Sequence, residues 1–94
     1  MADHEFEWDD DKAALNYTKH GVSFEAAREV FKDAFAVETL DDRVDYREER
    51  FSIIGMARGV LLFVAYTVRG DRLRLISARR ATKHEQEDYF RQNA

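Results

Sequence analysis

Cysteine and proline are both missing from the 94 residues, and glycine occurs only four times. Without cysteine there is no disulfide, no thiolate nucleophile and no Cys-ligated zinc site. Without a Pro/Gly/Ser-rich stretch there is no linker, so residues 1–94 are expected to form a single domain. No apolar run approaches the roughly 18 residues of a membrane span, which predicts a soluble protein with no membrane partner. The opening segment "MADHEFEWDDDK" is acidic and has no apolar stretch, so it resembles no secretory or transit signal. A cytoplasmic location is the expectation. Internal repeats and low-complexity segments are absent as well.

What the chain does have is a globular composition, 45% apolar with seven Phe, four Tyr and one Trp. A domain of this size buries only roughly 60–65% of its unfolded surface, so a single core with little to spare is expected. The formal net charge is −4, yet the charge is unevenly spread. Residues 1–11 carry six acids and no Lys or Arg, and residues 38–49 carry six acids against two arginines; residues 69–80 carry five arginines against one acid. Net charge argues against indiscriminate nucleic-acid binding, while a local basic patch can still contact a few phosphates.

Periodicity and capping residues predict the elements. "HEFEW" alternates Phe6 and Trp8 with acids, as a half-buried strand does. Asp9 to Asp11 supply an N-cap and negative charge for a helix through "KAALNYTKH", which Gly21 stops, with Lys19 and His20 at its negative end. Ser23 caps a second helix, "FEAAREVFK", whose Phe24, Ala27, Val30 and Phe31 share one face. "FAVETL" reads as a strand, followed by a charged connection from Asp41 to Glu49. "RFSIIGM", "VLLFVAYTV" and "RLRLISAR" are three further strands with hairpin-like joins at 57–59 and 69–71. Thr82 and Glu85 have capping-box spacing at the head of a closing helix, "KHEQEDYFR".

The fold expected is therefore α+β. A mainly antiparallel sheet carries two helices after its first strand and one at the C-terminus, with the helices on one face. The strand over 60–68, apolar on both sides, is expected at the centre, and Trp8, Phe31, Ile53, Leu62, Val64 and Leu75 in the core. Plain alternation puts Leu73, Leu75, Ser77 and Arg79 on one side of the last strand. Arg72, Arg74, Ile76, Ala78 and Arg80 fall on the other, so the arginines do not form one stripe.

Two long segments carry a resemblance. "FEWDDDKAALNYTKHGVSFEAAREVF" and "ERFSIIGMARGVLLFVAYTVRGDRLRLISARRATKHEQEDY", with the acidic bridge between them, resemble the BrnT family of toxins from bacterial type II toxin–antitoxin systems. The most specific pieces are Trp8-Asp9 with Lys12 and Asn16, the run Lys19 to Phe24, Glu48 and Arg50 ahead of Gly55, and Ile76 to Arg79 with Ala81, Glu85 and Tyr89. One departure is Asp33-Ala34, where the family usually has Asp-Pro, which is expected to loosen a turn. The resemblance implies a compact RelE-like ribonuclease that cuts RNA and inhibits translation. It also implies neutralisation by a BrnA-type antitoxin whose ribbon-helix-helix domain carries the DNA binding. A noncatalytic protein of the same fold that binds RNA or antitoxin is the alternative.

Metal-independent RNA cleavage needs a base for the 2′-hydroxyl, an acid for the leaving 5′-oxygen and cations for the charge gathering at phosphorus. His20 has the side-chain type that titrates near neutrality, and Lys19 adjoins it; His20 equally suits a cation at a helix C-terminus. Arg79 suits bidentate grip on phosphate oxygens, or else an ion pair with an acid such as Glu48. Glu85 is a candidate base, or simply the capping-box partner. Lys12, Asn16 and His20 recur at four-residue steps on one helical face, either as an RNA contact or as a solvated face. Arg50, Arg69 and Lys83 are candidate phosphate contacts. Tyr66 and Tyr89 are candidates for base stacking or for the core. His84 and Asp88 have metal-friendly spacing but lack a third ligand, and the three serines lack a nucleophile-elbow context, so neither a metal nor another cofactor is expected.

Overall fold

A computed structural model describes residues 5–41 and 48–94. The expected first residue of the opening strand, His4, and most of the charged connection expected over 41–49 lie outside the described residues.

Side-chain oxygens start each helix. The carboxylate of Asp9 accepts the Lys12 N–H at 3.1 Å and opens α1, Asp10–His20. That helix stops at Gly21, whose φ of 69° lies in the left-handed region and whose N–H closes onto the Tyr17 carbonyl. Ser23 Oγ accepts the Ala26 N–H and opens α2, which lasts only Phe24–Ala27. The nine-residue helix expected over 24–32 instead tightens into a 3₁₀ turn at Arg28–Lys32. Val30 and Phe31 resist an α-helix through their restricted χ1 angles, and the tighter winding presses Val30 against Gly55 of the sheet. A Cβ at Gly55 would lie 2.7 Å from Val30 Cγ1, so only glycine permits that approach.

Among the described residues, five strands make one sheet in the order β1-β5-β4-β3-β2. β1 is Glu5–Glu7, β2 Val37–Asp41, β3 Arg50–Ala57, β4 Val60–Arg69 and β5 Arg72–Arg80. β1 runs parallel to β5 and all other pairs are antiparallel. β4 is central, as its doubly apolar sequence predicts. Arg58 and Gly59, with φ of 51° and 80°, form the two-residue left-handed turn between β3 and β4.

The helices do not share a face. Ile53, Leu62, Val64, Tyr66, Leu75 and Ala78 pack under α2 and the 3₁₀ turn through Phe24, Ala27 and Val30. Ile54, Leu61 and Ala81 pack with Tyr89 of α3, Lys83–Gln92, on the opposite face. This corrects the expected one-sided layout: Ile53 and Ile54, like Leu61 and Leu62, are apolar neighbours on a pleated strand, so both faces need cover. Of the six expected core residues, Ile53, Leu62, Val64 and Leu75 are buried, while Trp8 and Phe31 are half-buried at the margin. Trp8 packs edge-on to Phe24 at 5.7 Å, and Phe31 edge-on to Tyr66 at 5.0 Å.

The alternation of β5 is corrected too. Tyr66 pairs with Leu75 but Ala65 pairs with Ser77, so Ile76 is an extra residue in the ladder. Leu73, Leu75, Ala78 and Arg80 therefore share the α2 face, while Arg72, Arg74, Ser77 and Arg79 share the α3 face. Nor is the turn at Asp33-Ala34 loose. The Asp33 carboxylate accepts the Phe35 N–H at 2.9 Å, the Met56 N–H at 2.8 Å and the Tyr89 hydroxyl at 2.7 Å, tying turn, sheet and α3 together. Burial pushes the Asp33 carboxyl up, but these hydrogen bonds outweigh it and hold the group below its ordinary range.

Candidate active site

β5 ends at Arg80, and the chain turns through buried Ala81, whose N–H donates to the Leu61 carbonyl at 3.0 Å. Thr82 then caps α3: its Oγ1 accepts the Glu85 N–H at 3.2 Å, and the Glu85 carboxylate accepts the Thr82 N–H at 2.8 Å. The capping box fixes the Glu85 side chain over the end of β5. There Arg79 meets it with both terminal nitrogens, Nη1 to Oε1 at 2.8 Å and Nη2 to Oε2 at 2.9 Å. The guanidinium also lies 4.3 Å from the centroid of Phe63, its direct neighbour on β4. Burial raises the Glu85 pKa, but hydrogen bonds from Arg79 and Thr82 outweigh it, so the carboxyl stays ionised below its ordinary range. Arg79 thus pairs with Glu85; the acid at residue 48 pairs instead with Arg69, at 3.3 Å.

On the same sheet face a second set of arginines stands nearer the other end of the strands. Arg50, Thr67 and Arg74 are directly adjacent across β3, β4 and β5. Glu7 flanks Arg74 on β1, and Asp41 flanks Arg50 on β2. Arg74 Nη1 bonds Glu7 at 2.8 Å, and Arg72 reaches Glu5 at 3.3 Å. Between this row and Arg79 lie the small side chains Ser52, Ala65 and Ser77, half-buried and side by side.

The remaining candidates are distributed differently. Asn16 is buried; its Nδ2 donates to the carbonyls of Val22 and Ala78 at 3.0 and 2.9 Å, and its Oδ1 accepts the Ala78 N–H at 3.1 Å. It fills the hydrogen-bonding place of an absent strand along β5 beyond the reach of β1, and anchors α1 there. Lys12 and Lys19 are exposed on that helix, and His20 is half-buried one turn past Asn16. α1 packs with the α2-side core through Ala13, whereas Arg79 points to the α3 side, so the structure groups Arg79 with Glu85 and groups His20 with Lys19. Lys83 is exposed at the first position of α3. Tyr66 and Tyr89 are core residues whose hydroxyls donate to Glu38 and Asp33. His84 sits 3.5 Å from Asp88, which Arg91 also engages.

Three participants escaped sequence reasoning: Phe63, Glu7 and Asp33. Counting back from the Gly70–Asp71 turn pairs Phe63 with Ala78, and only the extra residue Ile76 moves it opposite Arg79. Glu7 needed the parallel β1–β5 register, for which no local signal exists. Asp33 offered one clue, an acid after a helix and before a strand, where Asx turns are common.

A planar cation held on an aromatic ring, a carboxylate beside it and further guanidinium groups on the same open face are chemistry suited to a phosphodiester. A sheet face of this kind can receive the phosphates of a nucleic acid. A family profile described as the ribonuclease toxin, BrnT, of type II toxin–antitoxin systems matches residues 8–85. The chain belongs to this BrnT family, a family of ribonuclease toxins that are paired with antitoxins. No curated protein matches the chain. Among the described residues, no helix is long and apolar enough to cross a membrane.

Proposed function

We propose that this toxin is a metal-independent endoribonuclease whose site is centred on Arg79 and Glu85. The observation that carries the reading is the two-point Arg79–Glu85 pair seated on Phe63. A carboxylate gripped through two oxygens is a stand-in for two non-bridging phosphate oxygens, so a scissile phosphate can exchange for Glu85 at the same guanidinium. That exchange has a chemical consequence. Glu85 freed from Arg79 loses hydrogen bonds that depress its pKa, and becomes a better base at the moment substrate binds.

In this mechanism the 2′-oxygen bonds to phosphorus as the bond from phosphorus to the 5′-oxygen breaks. The 2′-hydroxyl proton passes to Glu85, and the leaving 5′-oxygen takes a proton from His20, with Lys19 adding positive charge. The products are a 2′,3′-cyclic phosphate and a 5′-hydroxyl. Arg79 stabilises the charge on the non-bridging oxygens. His20 is assigned the donor role because Asn16, one turn before it, is bonded to the backbone of Ala78 at the edge of β5, so a scissile phosphate held at that edge by Arg79 from the α3 side can be approached by His20 from the α1 side. Lys12, Arg50, Arg69 and Lys83 contact flanking phosphates, while Asn16 contributes by holding α1 in place. Residues 1–94 act as one toxin domain in the cytoplasm, where cleavage of RNA inhibits translation. A BrnA-type ribbon-helix-helix antitoxin covers the site, and DNA is engaged only through that partner.

The test is cleavage of RNA by the purified protein in EDTA, with the product ends identified. Arg79→Ala is expected to lower the rate on the order of 100-fold or more, and His20→Ala by a comparable factor. Folded variants that cut at the parental rate would remove both residues from the mechanism. Cleavage that requires added Mg²⁺ would overturn the metal independence. RNA bound tightly and left intact would favour the noncatalytic binding protein.

A further inference from the structure

We infer that Arg74, together with Arg50, forms a second phosphate-binding site for single-stranded RNA, and that Glu7 is the carboxylate which that phosphate must displace. The inference rests on the ribonuclease reading for its choice of ligand, and on the sheet register for its geometry. Arg50 and Arg74 flank Thr67 on one face, with their Cα atoms two strand spacings apart, about 9.6 Å. Thr67 is buried and its hydroxyl donates to the Glu49 carbonyl, so it raises no barrier between the two stems. Two long guanidinium side chains can therefore close over it from either side.

This row lies four β4 residues from Phe63 and Arg79, about 13 Å along the strands. The floor between is Ser52, Ala65 and Ser77, small enough for a sugar or base to lie over it. An RNA strand crossing that floor places one phosphate at Arg79 and another, further along the chain, at Arg74. Both positions are built alike. Each arginine is held by a carboxylate from a neighbouring element, Glu85 at 2.8 and 2.9 Å in one case and Glu7 at 2.8 Å in the other. Arg74 and Glu7 are both part-exposed, with side chains 27% and 26% accessible, so an incoming phosphate can reach the pair. The carboxylates keep the face neutral until a polyanion competes for several arginines at once. That selects extended RNA over isolated anions, and explains how an acidic chain presents an arginine-rich face without binding every nucleic acid.

The experiment is equilibrium binding of the full chain to fluorescent 2′-O-methyl oligoribonucleotides, which lack the attacking hydroxyl and stay intact. Arg74→Ala is expected to weaken binding of an octanucleotide roughly five- to tenfold and to lower its salt slope by about 0.7. Glu7→Gln should tighten the octanucleotide by about threefold, by removing the competing carboxylate. A dinucleotide, too short to reach from Arg79 to Arg74, should be unaffected by either change. Arg80→Ala is the control, because Arg80 is exposed on the opposite face of the sheet. Equal losses from Arg74→Ala and Arg80→Ala, or an octanucleotide affinity that Glu7→Gln fails to raise, would overturn the subsite. If binding follows the expected pattern but ordinary RNA remains uncut, the ribonuclease mechanism falls and the subsite stands. If RNA is cut at Arg79 while Arg74→Ala changes nothing, the subsite alone falls.

Discussion

The two faces of the sheet are made from the same strands, yet they have opposite characters. Under α2 the contacts are apolar, from Phe24, Ala27 and Val30 down to Leu62, Val64 and Ala78. On the other face α3 covers only Ile54, Leu61 and their neighbours, and beyond it lie arginines held by carboxylates. Arg79 and Arg80 are adjacent in the chain and fall on different sides of this division. The first face answers to volume and water exclusion, and the second to charge pairing. A small domain gains most of its stability from the first, and the proposed chemistry lies on the second.

The sharpest break in that comparison is a pair of truncations read by two assays. Phe24, 1% exposed, should cost about 3–5 kcal/mol in chemical denaturation when changed to Ala. Arg79→Ala, which removes a two-point, part-buried pair, should cost about 1–2 kcal/mol of stability, while lowering RNA cleavage on the order of 100-fold. If both substitutions moved stability alike, the functional division between the faces would fail.

Next comes the seam where α1 meets the edge of β5. Asn16→Leu leaves the Ala78 N–H and carbonyl and the Val22 carbonyl without their partner, a loss expected at about 2–4 kcal/mol. Hydrogen exchange should then rise at Ala78. Protection there equal to the parent would show that Asn16 is replaceable.

The tie between the 3₁₀ turn and α3 is weaker. Asp33→Ala removes an acceptor used by Phe35, Met56 and Tyr89, and is expected to lower stability by about 1–3 kcal/mol. The same group carries a pH signature. Asp33 and Glu85 have depressed pKa values in the folded chain, so their stabilisation is complete above their ordinary values of 3.8 and 4.5. It is lost as the pH falls through the lower folded values. Thermal melts of Asp33→Asn should accordingly be flatter than the parent between pH 5 and the acid limit, and equal slopes would contradict the assignment.

The smallest effect lies at alkaline pH. Burial, then the hydrogen bond to Asp33 and its charge, push the Tyr89 hydroxyl up to about 12. A raised value in the folded state stabilises at pH below the ordinary 10.0 and is lost as pH rises towards 12. Tyr89→Phe should remove that alkaline loss from the melting curve. A parental profile in the variant would assign it elsewhere.

Legibility in the sequence followed the range of the interaction. Asp9, Gly21, Ser23 and the Thr82–Glu85 box are local devices, and each stands where its spacing predicts. The central place of β4 was readable because a strand apolar on both sides has nowhere else to go. Arg79 and Glu85 were each recognisable as chemically apt residues, but their two-point contact was not. It depends on the turn through Ala81 and on the side of the strand to which Arg79 points. Helix placement failed for a related reason. Apolar residues on both sides of β3 and β4 require two covering layers, yet nothing in "KHEQEDYFR" states which layer α3 supplies.

From its sequence alone this protein is determined to be an α+β chain with capped helices, a meander of antiparallel strands and an acidic balance interrupted by an arginine-rich last strand. Those properties arise from contacts a few residues apart and from periodicity along single elements. Tertiary structure alone decided which arginines share a face, because one extra residue, Ile76, reverses the alternation after Leu75. It also decided that Glu7 stands beside Arg74 and Glu85 beside Arg79, since a carboxylate's partner is set by the register and packing of distant segments and not by its neighbours in the chain.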